Sequence, residues 1–168
     1  MKKYVTLIVW FVFCLFAFIR CEENLIGKRL SGKLISNTDC KTSLKSNYPD
    51  TLSCMEYAWD ASDNTLSLTH INAGFNCCPE SLYCKISLSN DTIYIQEFEK
   101  KALCDCNCLY DLSIEINDIT AKTYILHVIE PYAEGLDPLC FTINLNANKS
   151  GLYSVVRKQY PWGLSSVY

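Results

Sequence analysis

CDCNCLYDLSIEI runs from Cys104 to Ile116, and its spacing decides how the chain is read. Leu112, Ile114 and Ile116 alternate with Ser113 and Glu115. A period of two puts the aliphatic side chains on one face of a strand and the polar ones on the other. Carried backwards, the same alternation sets Cys104, Cys106 and Cys108 in one line, about 6.5–7 Å apart. That separation is at the edge of what a disulfide can bridge. Each thiol is therefore expected to reach across to another segment.

Short β-type runs of the same kind recur on both sides of this stretch. They are LSLTHI (66–71), LYCKISLS (82–89), DTIYIQEFE (91–99), CLYDLSIEI (108–116), TYILHVIE (123–130), LCFTINL (139–145) and LYSVVRKQY (152–160). In the third run, Ile93 and Ile95 take one face while Tyr94 and Phe98 take the other. Turn residues separate the runs: Asn90-Asp91 fits a tight hairpin, and Asn117-Asp118 and Lys149-Ser150-Gly151 fit further turns. No long amphipathic helical pattern stands out. About seven short strands at this spacing predict an all-β chain, a single antiparallel, immunoglobulin-like β-sandwich over residues 54–168. Residues 22–53 are polar and weakly patterned, and read as a linker and entry segment that joins the domain near Cys40.

The N-terminus sets the compartment. Lys2 and Lys3 precede an apolar run from Tyr4 to Ile19, broken only by Thr6. This is a secretory leader pattern over residues 1–21, short for a spanning helix, which needs about 20 apolar residues. Cys21 follows the run directly and resembles the lipidated first residue of bacterial lipoproteins. Two uses of Cys21 stand: lipid attachment, which anchors the chain to a membrane, and disulfide pairing. Of 15 basic residues, Lys2, Lys3 and Arg20 lie in the leader, so the exported part carries 12 against 18 acidic, a net charge of −6. No run of five basic residues occurs, which argues against nucleic acid as a partner. The chain has 11 cysteines, one of them, Cys14, in the leader. At this density an exported chain uses cysteines first as disulfides. The candidates are Cys40, Cys54, Cys77, Cys78, Cys84, Cys104, Cys106, Cys108 and Cys140.

Two resemblances extend this reading. The segment INDITAKTY, with Ile119 and Tyr124, resembles the L-x-x-G-x-Y turn of bacterial immunoglobulin-like and fibronectin-type-III-like modules, with Lys122 in place of the glycine. The resemblance implies that Tyr124 is a corner tyrosine whose hydroxyl bonds backbone. More extensively, Asn72, Phe75 to Pro79, Ile95, Glu97, Glu99, Cys104, Cys106, Cys108, Tyr110 and Asp111 form the pattern N-x-x-FNCC-P, an I-x-E-x-E-like strand, then C-x-C-x-C-x-YD. Over roughly residues 66–130 this resembles a group of cysteine-rich exported proteins of unknown function from Bacteroidetes-type bacteria. It implies location and fold more than activity.

Within that pattern Cys77 and Cys78 are natural partners for the C-x-C-x-C thiols. As neighbours on a strand they point to opposite faces and take different partners. Cys84 is a third candidate. Each closed loop then spans about 25–30 residues and stabilises by roughly 3 kcal/mol. The alternative use of Cys77, Cys78, Cys104, Cys106 and Cys108 is a metal site, zinc or a copper cluster. The C-x2-C spacing of zinc knuckles is missing, His70 and His127 stand isolated in strand-like runs, and no C-x-x-C redox motif is present. Glu97 and Glu99 share a strand face and form a carboxylate pair suited to acid–base work or to a solvated edge. No nucleophile–base set can be assembled and no G-x-S-x-G, H-E-x-x-H or P-loop pattern occurs. Asp50-Thr51-Leu52 and Asp91-Thr92-Ile93 resemble the Asp-Thr-aliphatic O-glycosylation signal of the same bacterial group, which makes Thr51 and Thr92 candidate acceptors. Tyr160 and Trp162 in QYPWG offer a sugar-stacking or partner surface. The expectation is an exported, lipid-anchored protein of the cell envelope, at the outer membrane or cell surface. It needs no cofactor, performs no catalysis, and acts as a structural or interaction module toward another envelope protein or a glycan. The rivals are a thiol-rich metal-binding envelope protein and a carbohydrate-binding accessory module.

Overall fold

The computed structural model describes residues 28–41 and 48–158. The leader with Cys21 and the tail with Tyr160 and Trp162 lie outside the described residues. Ten strands form: β1 (Lys28–Arg29), β2 (Gly32–Asn37), β3 (Leu52–Asp60), β4 (Thr65–Asn76), β5 (Pro79–Ser89), β6 (Thr92–Ala102), β7 (Asn107–Ile116), β8 (Thr123–Ile129), β9 (Cys140–Asn144) and β10 (Ser150–Val156). They make two five-stranded sheets, in the orders β1-β5-β6-β8-β9 and β10-β3-β4-β7-β2. The sheets pack face to face, so the expected all-β, disulfide-stapled sandwich is what the chain forms.

Alternation explains most of it. Along β7 the inward Leu112, Ile114 and Ile116 are buried, and along β6 so are Ile93 and Ile95. Asn90, at a φ of 53°, closes a two-residue turn between Ser89 and Thr92, because asparagine tolerates the left-handed conformation the tight turn demands. The main core joins Met55, Trp59, Leu66, Leu68, Ile93, Ile95, Ile114, Ile116, Leu126 and Ile143, among others. A smaller cluster of Ala73, Phe75, Cys108, Tyr110 and Leu112 occupies one end.

Three expectations are corrected. First, the sandwich is not wholly antiparallel: β6 and β8 pair in parallel, Thr92 opposite Ile125 through Gln96 opposite Ile129. Parallel neighbours need a crossover connection, and here the chain makes it by running through β7 in the opposite sheet. Second, residues 22–53 are not simply a linker, since they contain β1, β2 and the start of β3. β2 is an edge strand with little buried surface, so its sequence carries no strong pattern. β3 was hidden for the opposite reason: Ser53, Cys54 and Met55 are buried in succession, so period two vanishes at its start. Third, Lys149-Ser150-Gly151 is not wholly a turn. Ser150 and Gly151 open β10, which pairs with β3 from Ser150 opposite Ala58. The tyrosine corner also differs in detail. Tyr124 is buried, but its hydroxyl lies 3.3 Å from the side-chain Oγ1 of Thr120 rather than on backbone.

The register of β6 and β8 predicts an asymmetry. Ile95→Ala empties a fully buried site and is expected to cost about 2–5 kcal/mol. Ile125→Ala, on the outer face with 40% exposure, should stay within about 0.5 kcal/mol. Urea unfolding of both variants checks this; equal losses would mean that the faces are misassigned.

Candidate functional site

The cysteine segments come together at the end of the sandwich that carries the smaller apolar cluster. Cys40 pairs with Cys108, Cys77 with Cys106 and Cys78 with Cys104, at Cα separations of 5.8, 5.5 and 5.7 Å. Two of these close loops of 29 and 26 residues, while the third spans 68 and ties the entry segment to β7. Cys54, Cys84 and Cys140 are free. Burial raises the thiol pKa of Cys54 and pushes Cys84 up to about 11.

The three C-x-C-x-C thiols do not share a strand face. β7 begins at Asn107, and residues 103–106 are irregular, so Cys104 and Cys106 are exposed while Cys108 is buried. There the ladder ends with the Cys77 N–H donating to the Cys106 carbonyl at 2.9 Å, and beyond it the side-chain amide of Asn76 takes over. Its Nδ2 donates to the carbonyls of Cys104 (2.5 Å) and Cys106 (2.9 Å). Its Oδ1 accepts from the backbone N–H of Cys78 (3.1 Å) and of Cys104 (3.3 Å). Glu99 in turn accepts from the N–H of Asn76 at 2.7 Å. Tyr110 donates its hydroxyl to the carbonyls of Asn76 (2.9 Å) and Cys77 (3.1 Å) and meets Phe75 edge-on at 6.0 Å.

The remaining motif residues hold the entry segment down. Asn72 sits at a φ of 63° in the bulge between β4 and β7, and its Nδ2 donates to the carbonyls of Pro49 (2.9 Å) and Leu52 (2.7 Å). Lys41 Nζ donates to Asn72 Oδ1 at 2.8 Å and pairs with Asp111, which also accepts from the Asn72 N–H. Thus Asn72, Asn76, Tyr110 and Asp111 direct their polar groups to main chain or to this strap, and Glu99 divides its carboxylate between the Asn76 N–H and the Tyr132 hydroxyl. The metal set foreseen from sequence is tied up as disulfides. Among the described residues the one group of metal-capable atoms is the Sγ atoms of Cys40, Cys77 and Cys108, within 4.8 Å of one another. It includes Cys40, which that set lacked.

Next to the knot lies a polar layer that sequence reasoning missed. His70 is not isolated: Nδ1 is 2.8 Å from Glu97 Oε1, and Nε2 is 2.8 Å from Ser53 Oγ and 3.8 Å from Glu130 Oε1. Arg157 pairs with Glu130 and donates to the carbonyl of Asp137 at 2.6 Å. Glu97 is correspondingly no solvated edge residue. All five side chains are buried. The signal was present in the alternation, since Ile93-Ile95-Glu97, Leu66-Leu68-His70, Leu126-Val128-Glu130 and Val155-Arg157 each end an inward series in a polar residue. Four separate strands do this at one level, where β4 passes from the main core to the smaller cluster.

The order serine, imidazole, carboxylate is that of an acyl-transfer set. Here it is sealed: Ser53 and His70 have no exposed surface, so no substrate carbonyl can approach. Burial alone lowers the His70 pKa, but Glu97 and Glu130 outweigh it and the net shift is upward. Glu97 is also raised, chiefly by desolvation, against the partial opposition of His70. Its Oε2 has no hydrogen-bond partner among the described residues. Thr51 is exposed and Thr92 half-buried, both at strand starts, and His127 packs beside Tyr94 on the outer face.

Comparison of the chain with family models, with curated proteins and with solved structures finds no match.

Two outcomes follow from these contacts. The native state holds protons on His70 and Glu97 that the unfolded chain releases near their ordinary values of 6.5 and 4.5. The stability from His70 is complete below 6.5 and lost as pH rises through its raised native value, and ionising Glu97 acts in the same direction. Urea midpoints should therefore fall from pH 5 to pH 9, and Glu97→Gln should flatten the profile; an unchanged slope sinks the idea. Separately, Asn76→Ala removes the amide partner of the Cys104 carbonyl and of the Cys78 and Cys104 N–H groups, while the Cys106 carbonyl keeps the Cys77 N–H, and is expected to cost roughly 1–3 kcal/mol. A loss below about 0.5 kcal/mol would show that the amide is dispensable.

Proposed function

We propose that this chain is an exported, lipid-anchored protein of the bacterial cell envelope, with a structural or interaction role and no catalysis. The observation that carries the reading is the knot of three disulfides, since such bonds persist in oxidising compartments. The leader over residues 1–21, with Cys21 at its end, supports export and anchoring. The hold that Asn72, Asn76, Glu99, Tyr110 and Asp111 have on backbone supports a structural purpose for the pattern that resembles the Bacteroidetes-type group. The sealed serine–histidine–glutamate set supports the non-catalytic part.

The interaction role has a candidate surface. On the outer face of the sheet containing β5, β6 and β8, Tyr83 stacks on Phe98 with centroids 5.0 Å apart, and Lys85 Nζ lies 5.0 Å from the Phe98 centroid. Tyr94 and His127 continue the row, with Ile125 and Ile129 exposed beside them. Such a face suits another envelope protein or a glycan.

Mass measurement after alkylation tests the reading. In denaturant without reductant, three of the nine described cysteines (Cys54, Cys84 and Cys140) should label, and all nine after reduction. Labelling of Cys104, Cys106 and Cys108 in unreduced protein from the envelope would overturn it, and elemental analysis of that sample then decides whether metal takes their place. Cys21→Ser should abolish a lipid mass and membrane partitioning. Reaction of Ser53 with a fluorophosphonate probe would defeat the non-catalytic part.

A further inference from the structure

Two of the three disulfides abut. The sulfurs of Cys40, Cys77 and Cys108 lie within 4.8 Å of one another, although Cys77 is bonded to Cys106 and Cys40 to Cys108. The accessibility of the sulfur-bearing residues is graded: Cys106 is exposed, Cys40 and Cys77 are half-buried, and Cys108 is 3% exposed inside the small apolar cluster. An open cleft of about 570 Å³ adjoins them, lined by Cys40, Cys77, Cys78, Thr38, Leu82 and Tyr110 among others.

We propose that the two abutting disulfides beside this cleft form a thiol–disulfide exchange site, which takes up a small-molecule or peptide thiol at Cys106, outside the cleft lining, and delivers a free thiol at Cys40 within it. The inference rests on the disulfide knot and not on the envelope assignment. In the first step an external thiolate attacks Sγ of Cys106, the most exposed of the four residues. The Cys77–Cys106 bond breaks, a mixed disulfide forms at Cys106, and Cys77 leaves as a thiolate. In the second step Cys77 attacks Sγ of Cys108. The Cys40–Cys108 bond breaks, Cys77–Cys108 forms, and Cys40 leaves as the thiolate. One thiolate enters and one emerges, and the number of disulfides involved stays at two, so no oxidant or reductant is consumed.

Burial sets the direction of the second step. Expelling Cys108 would place a thiolate among Ala73, Phe75, Tyr110 and Leu112, where low polarity disfavours charge. Expelling Cys40 places it at the cleft mouth. Opening the first bond is also tolerated by the fold. Cys78–Cys104 is nested inside Cys77–Cys106, so the same two segments stay joined. The Lys41 N–H to Leu109 carbonyl bond and the Thr38 N–H to Asp111 carbonyl bond, both 2.9 Å, keep the entry strap in place after Cys40 is released. Of the three free thiols, Cys54 and Cys84 lie in surroundings where burial disfavours the thiolate.

The test uses oxidised full-length protein, mapped first without added thiol to establish the three native pairs. If those pairs are absent at this stage, the disulfide reading itself fails, before any exchange is examined. Limiting glutathione is then added at pH 8, the reaction is quenched with acid, and the denatured protein is alkylated and peptide-mapped. The expected result is glutathione on Cys106, a Cys77–Cys108 cross-link, and Cys40 newly alkylated in a one-to-one ratio with the adduct. Alkylated Cys77 beside an intact Cys40–Cys108 bond overturns the proposal, as does a Cys40–Cys77 bond with Cys108 free. Cys106→Ser gives an independent reading without glutathione: it should isolate with Cys77–Cys108 formed and Cys40 free. If that variant does not fold, the wild-type time course decides alone.

Discussion

One side-chain amide organises the end of the molecule where the chemistry lies. The segment from Leu103 to Cys106 leaves the sheet before β7 begins, so past the bond from the Cys77 N–H to the Cys106 carbonyl its polar groups lack ladder partners. Asn76 supplies them, and its own oxygen caps the N–H groups of Cys78 and Cys104. A carboxamide has two donors and an acceptor oxygen with two lone pairs, and all are used here. Aspartate has the shape but no donor, and leucine has neither. With this grip in place, Cys77 and Cys78 face Cys106 and Cys104 at bonding distance, and Tyr110 locks the turn from below.

The polar layer explains why that end needs covalent help. Elsewhere the sandwich is held by a broad aliphatic core. At the level of Ser53, His70, Glu97, Glu130 and Arg157 the core is interrupted, and only a small apolar cluster lies beyond it. Buried ion pairs offset their desolvation only partly, so they add little net stability. They do select one arrangement: a strand slipped by one residue would leave Glu130 buried without Arg157, or Glu97 without its His70 hydrogen bond. The layer therefore fixes register across β3, β4, β6 and the chain after β8 and β10, while the disulfides hold the strand ends past it.

Much of this was legible in the sequence, and the failures have physical causes. Alternation revealed β4 to β9 because each has one face in the core. β2 escaped because an edge strand buries too little, and β3 because its first residues are covered on both sides. The knot was half legible: Cys77 and Cys78 stood out as partners for the C-x-C-x-C thiols, but Cys40 as the third partner depends on the strap made by Lys41, Asn72 and Asp111. The polar layer was invisible as a unit. Each member closes an inward series on its own strand, yet only the pairing of strands far apart in sequence sets them at one height.

The arrangement of the disulfides argues that they are not equivalent. In the chain-entropy picture, closing a loop of 26 residues is worth roughly 3 kcal/mol. Once Cys78–Cys104 exists, joining Cys77 to Cys106 constrains only the few residues between the two bridges, so the second bond adds much less. Cys40–Cys108 is different, because it ties down a segment 68 residues distant that no other cross-link among the described residues holds. A fold that needed only stability would gain little from the nested pair. Placing the redundant bond on the surface, with its Cys77 sulfur near Cys108, lets the first exchange step open the bond the fold needs least, while the hydrogen bonds of Thr38 and Lys41 hold the entry strap through the second.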